Sequence, residues 1–190
     1  MKKFFDVSRR GPILYPQPVF IIATYDKNGV PNAMNAAWGG ISNSDEISIC
    51  VDAGHKTVAN LLESGAFTVS MATADTVAAC DYVGIVSGNK VPDKFERAGF
   101  HAIKSEYVNA PLIAELPMAI ECQVISYDKE TERLLGRIVN VSADESILDA
   151  DGKIDPQKLR PITYDSMNQA YLVLGDKVGN AFRDGKKLIS

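Results

Sequence analysis

The 190-residue sequence predicts a mainly β fold, an antiparallel barrel carrying two or three short helices, on three observations. Apolar and polar residues alternate over several short stretches, turn chemistry joins those stretches as hairpins, and no regular strand–helix alternation of a doubly wound sheet occurs. The length suits one domain, 1–190, and no repeat, low-complexity tract or linker divides it.

The first strand is the continuous apolar run 19–24. The residues after it, Tyr25-Asp26-Lys27-Asn28-Gly29, end in an Asn-Gly pair that accepts positive φ at low cost, so strands one and two are expected to pair antiparallel across a hairpin. Over 32–40, Asn-Ala-Met-Asn-Ala-Ala-Trp-Gly-Gly, the second strand is expected to lose its strand character. Two amides, small residues, one tryptophan and paired glycines are poor material for a dense core. They suit a backbone lying against a flat, hydrogen-bonding ligand.

Ile47, Ile49 and Val51 alternate with Ser48 and Cys50, and Phe67, Val69 and Met71 alternate with Thr68 and Ser70, giving strands three and four. The short helix between them has Val58, Leu61 and Leu62 at the spacing of one buried face and Gly65 placed to end it. Helical stretches are expected over 75–86 and 92–98, with Pro92 at a first turn, Gly99 at the exit and 87–90 a loop between them. Residues 117–127 and 134–143 form a second, longer hairpin about the polar turn 128–132. Turn chemistry at 149–152, a helical turn over 154–159 and a short apolar element at 170–174 complete the chain before a Lys-rich tail.

Composition narrows the function. No apolar run approaches the roughly 20 residues that span a bilayer, and the N-terminus lacks a signal peptide's apolar stretch, so a cytoplasmic protein with no membrane contact is expected. A net charge of −4 with scattered Lys and Arg leaves no footprint for nucleic acid. Cys50, Cys80 and Cys122 are odd in number and far apart, which points to buried reduced thiols. His55 and His101 are the only histidines and the aspartates have no ligand spacing, so no metal is expected.

His55-Lys56-Thr57 follows the third strand and opens the short helix. A helix N-terminus offers unsatisfied N–H groups and a partial positive charge, to which Lys56, the Thr57 hydroxyl and the His55 ring add donors. That is a phosphate seat. Read alone, Thr57 is a capping threonine and Lys56 a solvated lysine, since capping threonines are common. Set beside 32–40, however, the pair of features spans a flat ring at one end and a phosphate at the other, the shape of FMN, with the Asn35 amide and strand backbone for the ring. Trp38 read alone is a core residue; Asn32 and Asn35 are amides that need partners if buried. Lys90 and Lys94 are either contacts for an anionic substrate or solvated surface lysines.

The successions Pro-Val-Phe-Ile-Ile-Ala-Thr from Pro18, Asn-Gly-Val-Pro-Asn-Ala from Asn28, Trp38, and His-Lys-Thr-Val-Ala-Asn-Leu from His55 resemble the FMN-binding split-barrel flavin reductases, most closely the flavoredoxin-like branch. Val83 to Gly88, Asp93-Lys94-Phe95, Ala110 to Ile113 and Glu121-Cys122 continue the likeness in order, over about residues 16–174. The resemblance implies an antiparallel split β-barrel of Greek-key type and a homodimer with FMN near the subunit interface. It implies that Met34, Asn35, Ala36, Ala37 and Trp38 line the ring, Val51 and Asp52 the ribityl side, and His55, Lys56 and Thr57 the phosphate. Many members carry a hydroxyl-rich stretch and a Pro-Pro pair where this chain has 39–46, so Ser42 is not carried over.

The chemistry so implied is the flavin's: electrons from NADH or NADPH through FMN to free flavin, a protein or another small acceptor. No dinucleotide-binding glycine fingerprint is present, so the nicotinamide is expected to stack over the exposed flavin face. The alternatives are a flavoprotein electron carrier reduced by a partner protein, and a non-enzymatic flavin or haem module in which His55 or His101 would be the axial ligand. No nucleophile motif supports a hydrolase.

Overall fold

The structure is a computed structural model that describes residues 1–6, 8 and 13–189. Its strands are β1 (Phe20–Tyr25), β2 (Pro31–Ala36), β3 (Gly39–Asn43), β4 (Glu46–Cys50), β5 (Ala66–Met71), β6 (Ala102–Lys104), β7 (Pro111–Ile113), β8 (Met118–Asp128), β9 (Arg133–Ala143), β10 (Ile162–Asp165) and β11 (Ala170–Val173). The helices are α1 (Lys56–Ser64), α2 (Val77–Ile85), α3 (Lys94–Arg97) and α4 (Pro156–Leu159). Seven strands form one antiparallel sheet in the order β2-β1-β5-β8-β9-β4-β3; β6 pairs with β7 and β10 with β11.

That order makes β2 and β3 the two edges of the sheet, although only Ala37 and Trp38 separate them in the chain. Laid flat, seven strands would hold their edges about 29 Å apart, whereas the three Cα steps from Ala36 to Gly39 reach about 11 Å. The sheet must curl until its edges meet. The result is a split barrel whose seam lies at Ala37 and Trp38.

β1 is buried on both faces, which explains its unbroken apolar run. Phe20 and Ile22 enter the barrel interior with Ile47, Phe67, Val69 and Leu134, while Ile21 and Ala23 face the layer of α2 and α3 with Cys80, Val83 and Phe95. The expected antiparallel pairing of β1 and β2 is present, with Gly29 supplying the positive φ of the turn. The long hairpin β8–β9 also lies where the alternation puts it.

Several expectations need correction. β2 remains a regular strand to Ala36, paired residue for residue with β1, and buries Ala33 in one core and Met34 in the other. Small side chains there serve close packing beneath α2 instead of leaving the strand open. β3, β6, β7 and β10 lack a legible alternation; β3, Gly-Gly-Ile-Ser-Asn, forms because β4 offers it a ladder. Leu62 is 48% exposed, and α1 buries Thr57, Val58, Asn60 and Leu61. The polar members of that face are satisfied, Thr57 by Asn32 and Asn60 by Thr24. α2 and α3 are shorter than expected, and Pro92 precedes α3 by two residues. Cys80 and Cys122 are buried, and burial pushes their thiols up to about 11 and about 12. Cys50 is exposed, because Ile47 and Ile49 take the inward positions of β4. No helix among the described residues is long and apolar enough to cross a membrane.

Candidate functional site

Three cavities follow one another along β2 and the seam. The first, about 250 Å³, lies between Asn32, Met34 and Asn35 of β2, the start of α1 at His55, Lys56 and Thr57, and residues 83–88 with Lys94. The second, about 490 Å³, shares Asn35, Gly84 and Ile85 with the first and runs past Ala36 and Ala37 to the β10–β11 hairpin. The third, about 340 Å³, shares Ala37 with the second and includes Trp38 and Gln17 in its wall.

Local chemistry builds the first cavity. The Asp52 carboxylate accepts from the Gly54 N–H at 2.6 Å and the Asp52 carbonyl from the His55 N–H at 3.1 Å, a turn that delivers the chain into α1. The His55 side chain makes no capping bond, and the N–H groups of Lys56 and Thr57 precede the first intrahelical donors, so no acceptor satisfies them among the described residues. Thr57 is not the cap. Its hydroxyl faces inward, accepts from Asn32 Nδ2 at 2.9 Å, and keeps its own proton to donate. Lys56 Nζ lies 3.4 Å from Asp26 Oδ2.

Lys94 corrects the reading of a solvated lysine. It is 3% exposed, and its ammonium donates to the carbonyls of Val83 at 3.0 Å and Val86 at 2.9 Å, closing the C-terminal end of α2. Burial first, then repulsion from Lys56, pulls it down to about 8. The opposite wall is held close by two glycines. A Cβ on Gly84 would come within 2.9 Å of the Asn35 Cβ, and one on Gly88 would collide with Asn32 Oδ1. Asn35 Nδ2 donates to the Cys80 carbonyl at 3.2 Å and Asn89 Nδ2 to the Gly54 carbonyl at 3.0 Å, tying α2 to β2 and its following loop to the turn before α1. Asn32 and Asn35 thus find protein partners.

The first cavity brings together Met34, Asn35, His55, Lys56 and Thr57; Ala36 and Ala37 line the second, and Ala37 and Trp38 the third. Trp38, readable alone as core, is 58% exposed. Val51 and Asp52 line none of the three. Val51 is buried, its N–H donates to the Glu132 carbonyl and its carbonyl accepts from the Tyr127 hydroxyl. Lys90 is exposed and outside the wall. Residue-level reading missed the wall over 83–88, where the Gly84 and Gly88 spacing was the available signal, and missed Asp81, Tyr164 and Tyr171, which have no local signature. The Tyr171 hydroxyl donates to Asp81 Oδ1 at 2.7 Å; burial, then this carboxylate, pushes it up.

A family model described as the flavin reductase like domain matches residues 11–165. Among solved structures, the chain is similar to the flavoredoxin of Desulfovibrio vulgaris (Miyazaki F), with TM-score 0.90 and 36% identity over 97% of this chain and 100% of that one. It is also similar to the flavoredoxin from Methanosarcina acetivorans, with TM-score 0.87 and 27% identity over 99% of each chain. An FMN-binding domain of a flavin reductases-like enzyme from Shewanella baltica OS155 shares the fold, with TM-score 0.76 and 17% identity over 93% of this chain and 95% of that one. With a model covering most of its length and a flavoredoxin related along nearly all of it, the chain belongs to the flavin reductase-like family.

Proposed function

We propose that this chain is a cytoplasmic, homodimeric, FMN-dependent oxidoreductase that takes electrons from NADH or NADPH and passes them to free flavin, a protein or another small acceptor. Lys94 carries the reading. Removing an ammonium from water costs several kcal/mol unless an anion compensates it, and Lys94 is buried beside a second cation, Lys56, with no carboxylate in the cavity wall. Two carbonyls take two of its three protons. A phosphate monoester in this cavity supplies the missing charge and accepts from Lys56, the Thr57 hydroxyl and the unpaired N–H groups at the start of α1.

The rest of the trough fits the same ligand. β2 is an edge strand, so part of its backbone lacks a ladder partner and offers N–H and C=O groups to a ring lying along Met34 to Trp38. Gly84 and Gly88 keep the opposite wall free of side chains. FMN, when bound, accepts hydride and releases electrons onward. The chain's own residues would bind and orient it: Lys94 and Lys56 would hold the phosphate and the Thr57 hydroxyl would donate to it, while Ile85 lines both the first and the second cavity.

Trp38 and Ile41, 58% and 67% exposed beside the seam, support a second copy covering that edge, since exposed apolar groups of this size gather at interfaces. A monomer's mass in sedimentation equilibrium at micromolar concentration removes that part. Three free cysteines suit a reducing compartment.

The test is direct. After reconstitution with FMN the protein is expected to retain visible flavin absorption through gel filtration and to bleach with NADH or NADPH. A colourless protein ends the proposal. The likeness to two flavoredoxins favours a second reading, a carrier reduced by a partner protein. Flavin that is retained but reduced by neither nicotinamide in stopped flow selects it.

A further inference from the structure

One of the two lysines of the first cavity already has an anion. Asp26 opens the turn from β1 to β2. Its Oδ1 accepts from the Asn28 and Val30 N–H groups at 2.9 and 3.0 Å, which fixes the side chain, and its Oδ2 lies 3.4 Å from Lys56 Nζ. Among the described residues it is the one carboxylate within ion-pair distance of Lys56 or Lys94. It stands outside the wall of the first cavity and lines another of about 510 Å³ with Lys27, Glu63 and Lys104. We infer that Asp26 is a positioning residue that acts through Lys56 to keep FMN exchangeable, a built-in rival that the phosphate of the incoming flavin must outbid for the Lys56 ammonium. The inference rests on the function proposed above and adds to it the residue that sets how readily the flavin leaves.

Burial, anchoring and charge each support this role. The Lys56 and Asp26 side chains are only 19% and 18% exposed, so solvent ions screen the pair less than they screen one on an open surface. Burial acts to raise the Asp26 carboxyl, but the Val30 and Asn28 N–H groups, and then Lys56, hold it below the usual carboxylate range, so it is an anion at neutral pH. The two backbone donors keep it from swinging away. A phosphate monoester, with a charge of about −1.5 to −2 at pH 7, therefore either displaces Asp26 from Lys56 or settles beside a like charge, and both oppose binding. A ligand without the phosphate meets neither opposition. An asparagine at this position keeps the turn, because its amide oxygen accepts from the same two N–H groups. Its NH2 group then faces the Lys56 ammonium, donor against donor, and Lys56 is left free for the phosphate.

The test compares the full-length wild-type chain with Asp26→Asn. FMN and riboflavin are titrated by flavin fluorescence, FMN release is followed after rapid dilution, and the melting temperature is measured with and without inorganic phosphate. Asp26→Asn is expected to bind FMN about tenfold more tightly, with the gain in a slower release, while riboflavin stays within about twofold of the wild type. Inorganic phosphate is expected to raise the melting temperature of Asp26→Asn by more than that of the wild type. In a Lys56→Met background the same substitution should change FMN affinity by no more than about twofold, because the rival then has nothing to hold. Asp26→Ser, which offers the turn a hydroxyl acceptor, is expected to give the same order of affinities. FMN binding that is unchanged or weaker in both neutral variants, an equal gain for riboflavin, or a full gain without Lys56 overturns the inference. No FMN binding to the wild type, with the phosphate response still larger in Asp26→Asn, sinks the flavin function alone; FMN binding that ignores Asp26 sinks this inference alone.

Discussion

A lysine held between two carbonyls with no acid beside it carries a destabilising charge, and the pH range in which it does so follows from its titration. In the ligand-free protein Lys94 falls from an ordinary 10.5 to about 8, because burial and Lys56 both disfavour the ammonium. Below pH 8 the folded and unfolded chains both hold the proton, and the cost, about 3 kcal/mol, is fully present. Between 8 and 10.5 the unfolded chain binds more protons, so stability gains with rising pH and the cost is gone above that window. Urea midpoints of the ligand-free protein are therefore expected to carry a rising contribution from pH 8 to 10 that Lys94→Met abolishes. Flavin affinity should run the other way, level up to about pH 8 and then falling by up to about tenfold per unit, again unless Lys94 is replaced. An affinity independent of pH up to 10 removes the anion from Lys94. Lys56→Ala with Thr57→Ala is expected to weaken FMN substantially in a fluorescence titration, since each hydrogen bond to a charged group contributes about 1.5 to 3 kcal/mol. Lys56 and Thr57 were legible because helix-start chemistry is local. Lys94 stays ambiguous in sequence between an anion contact and a solvated lysine, because Pro92-Asp93-Lys94 looks solvated and only the packing of α3 against α2 buries it.

Elements with a strong two-residue period announced themselves, and those built on a neighbour's ladder did not. β8 and β9 alternate clearly, whereas β3 has two glycines, one exposed Ile41 and no inward apolar row, and β10 is four residues long against an equally short partner. The barrel interior also depends on a residue with no side chain. Gly136 of β9 faces Phe67 of β5, and a Cβ there would enter the Phe67 ring and touch Cys122 at 3.4 Å. Phe67 is fully buried among Ile22, Val69 and Leu134 and has nowhere to retreat. Gly136→Ala is expected to cost about 1–3 kcal/mol by overpacking, read as a lower urea midpoint at unchanged slope. Adding Phe67→Leu should recover part of the loss, because the two sites share one space. Additive losses in the double variant show that the collision is not the cause.

At the scale of the whole molecule, the antiparallel barrel class was legible, but the place where the sheet closes was not. Closure follows from β2 and β3 being both opposite edges and immediate neighbours in the chain, a fact of strand order that no local pattern carries. The same closure sets the trough along the β2 edge, with its cations at one end and Asp81 near the other. A ligand with an anionic tail and a neutral ring should therefore bind in one direction, and its tail should contribute much of the affinity. FMN and riboflavin separate that contribution, because they share the ring and ribityl chain and differ in the phosphate. FMN at a hundredfold over its Kd stabilises by about 2.7 kcal/mol, which for a chain of this size raises the melting temperature by about 5–10 °C. Riboflavin at the same concentration lacks the charge-assisted contacts to Lys56, Lys94 and the start of α1, and is expected to give less than about half that shift. In Lys94→Met the gap between the two ligands should narrow from the FMN side. Equal shifts for FMN and riboflavin in the wild-type protein place the binding energy in the ring alone and leave the buried charge of Lys94 without its anion.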